Sequence, residues 1–238
     1  MTDRYIEYKP SLQGLRAIAV ILVVLAHTDF PVFQGGFIGV DVFFVLSGYL
    51  ITGLLLDELE QNGRIEFISF YARRLKRLLP ALIFMLGIIF ILAMYLLSEV
   101  EARIQLQSLL FATTWVSNLY FAFTEVDYFD ELASRDLFLH TWSLGVEEQF
   151  YIIWPGLIAL LYKVNLFKQS KLSSIFYGLS TVLLISFTLS LYWSVIMPQM
   201  AFYMMPARIW QFSLGAMLHF LFYQKDISVK NKLIALLS

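Results

Sequence analysis

Arg16-Ala-Ile-Ala-Val-Ile-Leu-Val-Val-Leu-Ala-His27 is an unbroken apolar run closed at each end by an ionisable side chain. On an α-helix these two positions lie close to three whole turns apart, so both side chains point the same way, about 16 Å apart along the axis. An ionisable group at the centre of a bilayer-spanning helix costs on the order of 3 kcal/mol by insertion scales. The run reads as a first transmembrane helix over residues 14–32, with a cation near one end and an imidazole deeper. A segment that keeps two such groups on one face is using them, so Arg16 and His27 are the first candidate functional residues.

Composition extends that reading to the whole chain. Of 238 residues, 59% are hydrophobic and 15% charged, with mean hydropathy +0.72, too apolar for a soluble domain with a polar surface. The net charge of −1 leaves no polybasic surface for nucleic acid. The absence of cysteine removes disulfides, thiolate metal sites and a cysteine acyl-enzyme. Met1 to Gln13 is polar, and the apolar run after it lacks a small-residue cleavage site, which favours a retained helix over a signal peptide. At about 20 apolar residues per span, further candidates are 36–56, 79–97, 104–123, 144–162, 175–196 and 203–223, with another apolar start at Leu233 to Leu237. The expectation is an all-α, polytopic transmembrane helical bundle of about seven spans forming one domain over residues 1–238.

Charge sets the expected orientation. Arg73, Arg74, Lys76 and Arg77 crowd before the third span and mark that side, and with it the N-terminus, as cytoplasmic. If 104–123 is a full crossing, alternation then puts the acidic stretch Glu125 to Asp136 inside and Lys163, Lys168 and Lys171 outside, against the positive-inside rule. Either 104–123 does not cross or packing overrides the charges; the sequence leaves both open.

Three constellations could carry chemistry. With a turn near Phe33 to Gly36, His27 and Asp41 sit at similar depth, and a carboxylate beside an imidazole is the base-and-orienter arrangement of acyl transfer. The competing reading of His27 is an interfacial histidine satisfied by a carbonyl. Gly35, Gly36, Gly39 and the Ser47-Gly48 pair allow close backbone approach. Arg73, Arg74 and Arg77 share a helical face and could grip phosphates, although charge alone favours an orientation signal. In His140-Thr-Trp-Ser-Leu-Gly-Val-Glu-Glu-Gln-Phe-Tyr151, Ser143 could cap a helix with Glu147 near its positive end, yet two acids, a Trp and a Gln are a costly start for a span. Arg208 reads as a snorkelling interfacial arginine. The three histidines make no metal set, and no phosphate loop, dinucleotide fingerprint or nucleophile elbow is present.

Taken together, these stretches resemble the acyltransferase 3 family of integral-membrane O-acyltransferases. The resemblance rests on Leu12-Gln-Gly-Leu-Arg-Ala-Ile-Ala-Val with His27 downstream, on residues 36–52 around Asp41, on Phe70-Tyr-Ala-Arg-Arg-Leu-Lys-Arg-Leu-Leu-Pro-Ala, and on residues 140–151. It implies transfer of an acetyl group from cytoplasmic acetyl-CoA, as donor co-substrate and without a metal, to hydroxyls of a surface carbohydrate such as lipopolysaccharide O-antigen, peptidoglycan or exopolysaccharide. The setting it implies is the lipid bilayer of the bacterial inner membrane. The family's Arg–His signature falls on Arg16 and His27, and its basic element on Arg74 and Arg77, with Arg73 beside them, as contacts for the donor's phosphates. Its Trp-Ser-Leu element falls on Trp142 and Ser143, expected to bind substrate, and on Glu147, expected to hold the acceptor or assist proton transfer. His27 is then the general base, Asp41 its orienter and Arg16 the stabiliser of developing negative charge.

Two departures accompany the resemblance. Family cores have about ten spans of the usual length, so this chain is expected to be the N-terminal part of a core, completed by further helices or a separate downstream polypeptide. Gln211 also stands where the family commonly has an acid. The alternatives are a transporter or glycan-binding membrane protein using the same charges, or an inactive truncated fragment.

Overall fold

The computed structural model describes residues 10–28, 31–130, 133–164 and 171–237, so Met1 to Lys9 and Lys168 lie outside the described residues. Every extended element is helical: α1 (Pro10–Ala26), α2 (Ile38–Asn62), α3 (Phe67–Leu96), α4 (Glu99–Thr113), α5 (Ser117–Phe123), α6 (Trp142–Val164), α7 (Lys171–Ile196), α8 (Pro198–Tyr203) and α9 (Met205–Leu237), with short 3₁₀ turns at Pro31–Phe37, Ala133–Arg135 and Leu139–Thr141. Among the described residues, four helical segments are long and apolar enough to cross a membrane: Gly35–Asn62, Phe67–Leu96, Leu139–Val164 and Lys171–Ile196. The polytopic helical bundle expected from composition is the fold observed, and the apolar start at 233–237 is the last turn of α9.

Contacts group the chain into two compact units, one of residues 1–63, 158–184 and 210–238, the other of residues 64–157 and 185–209. In the first, α2 and α9 cross in near contact. A Cβ at Gly48 would stand 2.0 Å from the Phe212 carbonyl oxygen, and one at Gly215 would stand 1.9 Å from that of Val45. Only glycine permits this approach. Phe44 stacks on Phe212 at 4.8 Å and Gly53 meets His219, so residue numbers rise together along both helices. The two helices therefore point the same way.

The helix expected over 104–123 is interrupted at Trp115, which has φ 58°. The pieces are α4, 15 residues or about 22 Å, and α5, 7 residues. A capping box in which Ser98 and Glu101 satisfy each other's backbone N–H groups starts α4. The helix then folds back on α3, where Leu82 and Leu86 pack with Ala112 and Phe138. Segment 135–138 is strapped to α4: the buried Gln105 donates to Arg135 O (3.1 Å) and accepts from the Leu137 N–H (2.9 Å), and Ser108 donates to the Asp136 carboxylate.

Two further expectations are corrected. The first span was expected to reach residue 32, but α1 stops at Ala26 and leaves His27 exposed in the following turn rather than deep in the helix. The basic cluster was expected in a loop before the third span. It lies within α3, which starts at Phe67 and carries Arg73, Arg74, Lys76 and Arg77 in its first three turns.

Candidate functional site

The sequence-predicted residues fall into two groups, one in each unit. Arg16, His27 and Asp41 belong to the first. A Cβ at Gly36 would meet Leu22 O at 2.2 Å, and one at Gly39 would meet Ala19 O at 2.4 Å and Val23 Cγ2 at 2.8 Å. This register sets Asp41 opposite the α1 turn that contains Ala19, within one turn of the half-buried Arg16. Asp41 is then displaced from His27 by about eight residues of helix, about 12 Å, and the equal depth expected from a turn at 33–36 is not found. The reason is the Pro31–Phe37 3₁₀ segment, which already runs back along α1, while the chain leaves α1 in a turn at His27 and Thr28.

His27 finds a different orienter. Its Nδ1–H donates to Val23 O at 2.7 Å, and its ring packs edge-on against Phe37 at 5.4 Å. In that tautomer the neutral imidazole carries its lone pair on Nε2, the atom a general base uses. Asp41 is held from elsewhere in the chain: Gln211 Nε2 donates to Asp41 Oδ1 at 2.7 Å, and Gln211 is 1% exposed. Both residues line a cavity of about 620 Å³ whose other walls include Leu15, Val45, Tyr49 and Trp210. A largely apolar hollow with a few fixed polar groups has the form of a ligand site.

The second unit brings together the basic element of α3 and the acidic start of α6. The Arg74 guanidinium sits 4.3 Å over the centre of the Tyr151 ring. The Tyr151 hydroxyl in turn donates to the Glu147 carboxylate one turn earlier on α6. Tyr71, one turn before Arg74, donates to Ile152 O at 2.8 Å and pins the two helices at this level. Glu148 is 5% exposed and within electrostatic reach of both Glu147 and Arg74. Among the described residues the ion pairs are Arg64–Glu66 and Arg103–Glu99, so neither Arg74 nor its exposed neighbours Arg73 and Arg77 is tied into a salt bridge.

Trp142 and Ser143 lie at the other end of the same motif. Trp142 is 4% exposed, packed on Phe202 (4.6 Å), Tyr203 (5.7 Å) and Tyr128 (6.1 Å). Ser143 donates to His140 O at 3.2 Å, a contact within the first turn instead of an N-cap. Arg208 is held by protein contacts: its Nε donates to Phe202 O at 2.9 Å and its guanidinium lies 5.6 Å from the Trp142 ring. A buried amide pair fixes α6 to the break after α4. Gln149 donates to Asn118 Oδ1 (2.8 Å), and Asn118 donates to Tyr203 O (3.1 Å). A Cβ at Gly145 would come within 2.7 Å of that Asn118 oxygen, so the glycine of the motif makes room for the pair. Outside the spans, burial pushes the Asp136 carboxyl above its ordinary value, an effect the Ser108 and Phe138 hydrogen bonds partly offset.

These four motifs fall on the profile of a known acyltransferase domain, which matches residues 9–238. The chain belongs to the acyltransferase 3 family. It is 42% identical over 175 residues to an O-acetyltransferase-named protein of Staphylococcus aureus strain MSSA476, covering 74% of this chain and 28% of that one. The peptidoglycan O-acetyltransferase OatA of Listeria monocytogenes is 42% identical over 163 residues, covering 68% of this chain and 26% of its own length. The O-acetyltransferase OatA of S. aureus strain NCTC 8325 is 43% identical over 155 residues, 65% of this chain and 25% of its own. The chain thus spans about a quarter of the length of these acyltransferase 3 relatives. No solved structure is significantly similar to it.

Sequence reasoning passed over Tyr151, Gln211, Asn118 and Gln149 as individual site residues. Tyr151 carried a usable signal, an aromatic residue one turn after Glu147 on the same helical face. Gln211 stood out only as a departure from the family's acid, with nothing to name its partner 170 positions away, and Asn118, bonded to a carbonyl 85 positions away, carried no signal.

Proposed function

We propose that this acyltransferase 3 chain is the membrane part of an O-acetyltransferase, taking acetyl from cytoplasmic acetyl-CoA and passing it to a hydroxyl of a cell-surface carbohydrate. Peptidoglycan is the acceptor favoured by the Listeria relative's name, ahead of lipopolysaccharide or exopolysaccharide. The observation that carries this reading is the Arg74–Tyr151–Glu147 chain of contacts, in which an arginine outside any salt bridge is fixed beside the acidic motif. Arg74, Arg73 and Arg77 would hold the phosphates of the donor, for which a guanidinium fork is well matched.

Chemistry at the thioester follows from His27. Its Nε2 takes the proton of the acceptor hydroxyl as the oxygen attacks the thioester carbon, and Arg16 offsets the charge that develops on the carbonyl oxygen. Collapse of the tetrahedral intermediate breaks the C–S bond, and the proton on Nε2 passes to the departing CoA sulfur. Val23 O keeps the imidazole in the needed tautomer. Asp41, fixed by Gln211, supplies a hydrogen-bond acceptor on the cavity wall. Glu147 holds the acceptor or assists its proton transfer, with Trp142 and Ser143 shaping the start of that helix.

An orientation in which the two short helices of 99–123 stay on one side of the bilayer fits the charges best. With the basic end of α3 in the cytoplasm of a bacterial inner membrane, the N-terminus is cytoplasmic, Glu125 to Asp136 is outside, and Lys163 and Lys171 are inside. All of these obey the positive-inside rule. The test is thioester cleavage by the purified chain in proteoliposomes, with chitotetraose as acceptor probe and release of free CoA thiol as readout. Loss of cleavage in His27→Ala, with CoA binding kept, is expected. CoA binding without cleavage in the unmodified chain would favour a binding or transport protein instead.

A further inference from the structure

We propose that Tyr151 is a positioning residue of the donor site, its ring forming the seat that aims the Arg74 guanidinium at the donor's phosphate groups. The inference rests on the reading of the α3 arginines as phosphate contacts. Proteins usually aim an arginine with a carboxylate, but such a pair cancels the charge an anionic ligand needs. A ring face fixes the guanidinium by cation–π attraction while leaving its charge and its donor fork for the ligand. Arg74 is held in this second way, 4.3 Å above Tyr151 and outside the ion pairs of the described residues.

Three observations separate this seat from ordinary core packing. Tyr151 is 5% exposed, so its ring has one settled position. Its rotation is locked by the hydroxyl's bond to Glu147, whereas the neighbouring Tyr71 satisfies its hydroxyl on the Ile152 carbonyl. That Tyr71 bond fixes α3 against α6 one residue from Tyr151, which holds Arg74 over the ring. The buried Glu148 of α6 does not capture the guanidinium either: its Oε1 has no hydrogen-bond partner and it forms no ion pair with Arg74.

The experiment measures binding of CoA itself to the purified full chain in detergent micelles, by calorimetry at two salt concentrations. Arg74→Ala is expected to weaken binding about tenfold or more and to flatten its salt dependence. Tyr151→Leu is expected to weaken it by about tenfold, the loss of a desolvated cation–π contact. Tyr151→Phe and Tyr151→Trp keep a ring face and are expected to stay within about threefold of the unmodified chain. The double variant Arg74→Ala/Tyr151→Leu is expected to bind no worse than Arg74→Ala, because Tyr151 acts through Arg74. If Tyr151→Leu binds like the unmodified chain while Arg74→Ala is impaired, or if Tyr151→Phe is as weak as Tyr151→Leu, the seat is wrong. Unchanged binding in Arg74→Ala would instead overturn the donor-site reading itself.

Discussion

The α1–α2 hairpin and the α3–α6 pair each hold one half of the expected machinery, and they assemble it differently. In the hairpin, the two residues that seemed adjacent are not partners: His27 is oriented by a backbone carbonyl four residues away, and Asp41 by Gln211, 170 positions along the chain. In the α3–α6 pair, motifs more than seventy residues apart meet directly through Arg74 and Tyr151. Proximity in sequence misled in the first region, and in the second the meeting of the two motifs was not foreseen at all. The difference lies in what fixes geometry. A short hairpin leaves its register free until glycine contacts set it, whereas a stacked cation–aromatic pair brings its own geometry.

The largest expected effect tests the hairpin's chemistry. His27→Ala should lower acetyl transfer by a factor of about 10² to 10⁴, the usual range for a general base. If the α3 arginines hold the donor as proposed, it should leave CoA affinity unchanged. A full rate in that variant would remove the hairpin from the chemistry. Next comes the packing that supplies Asp41's partner. Gly215→Val drives a side chain against Val45 O, already 1.9 Å from an added Cβ, and should cost about 3 kcal/mol of stability, read as a lower melting temperature in detergent.

A finer cut is Gln211→Met, which preserves length and volume but removes the amide. It should cost about 2 kcal/mol through the lost hydrogen bond to the charged Asp41 carboxylate, and much less in an Asp41→Asn background. Equal costs in both backgrounds would show that Gln211 only packs. The smallest effect lies in the second unit, in the 135–138 segment strapped to α4. Because burial raises the Asp136 carboxyl, its contribution to stability is complete below the ordinary carboxylate value of 3.8 and is lost as pH rises through the folded value. Melting temperature should therefore decline modestly with rising pH over that window, and Asp136→Asn should abolish the decline.

Much of the fold was legible because it follows from solvent. Long apolar runs of the right length must be helices in a bilayer, whatever they pack against, and α2, α3, α6 and α7 stand close to where hydropathy puts them. The segment 104–123 shows the limit. It has the composition of a span, and only the structure shows it broken at Trp115 into α4 and α5.

The sequence by itself determined the helical membrane class, the family, and which side chains carry charge where charge is expensive. Those properties depend on each residue's own transfer energy or on motifs read in order. Tertiary structure alone decided that Asp41 answers to Gln211, that Tyr151 carries Arg74, and that the helix expected over 104–123 breaks at Trp115. The first two depend on helix register, which is set by close contacts at Gly39, Gly48, Gly145 and Gly215, and no local signal encodes which distant backbone a glycine will meet.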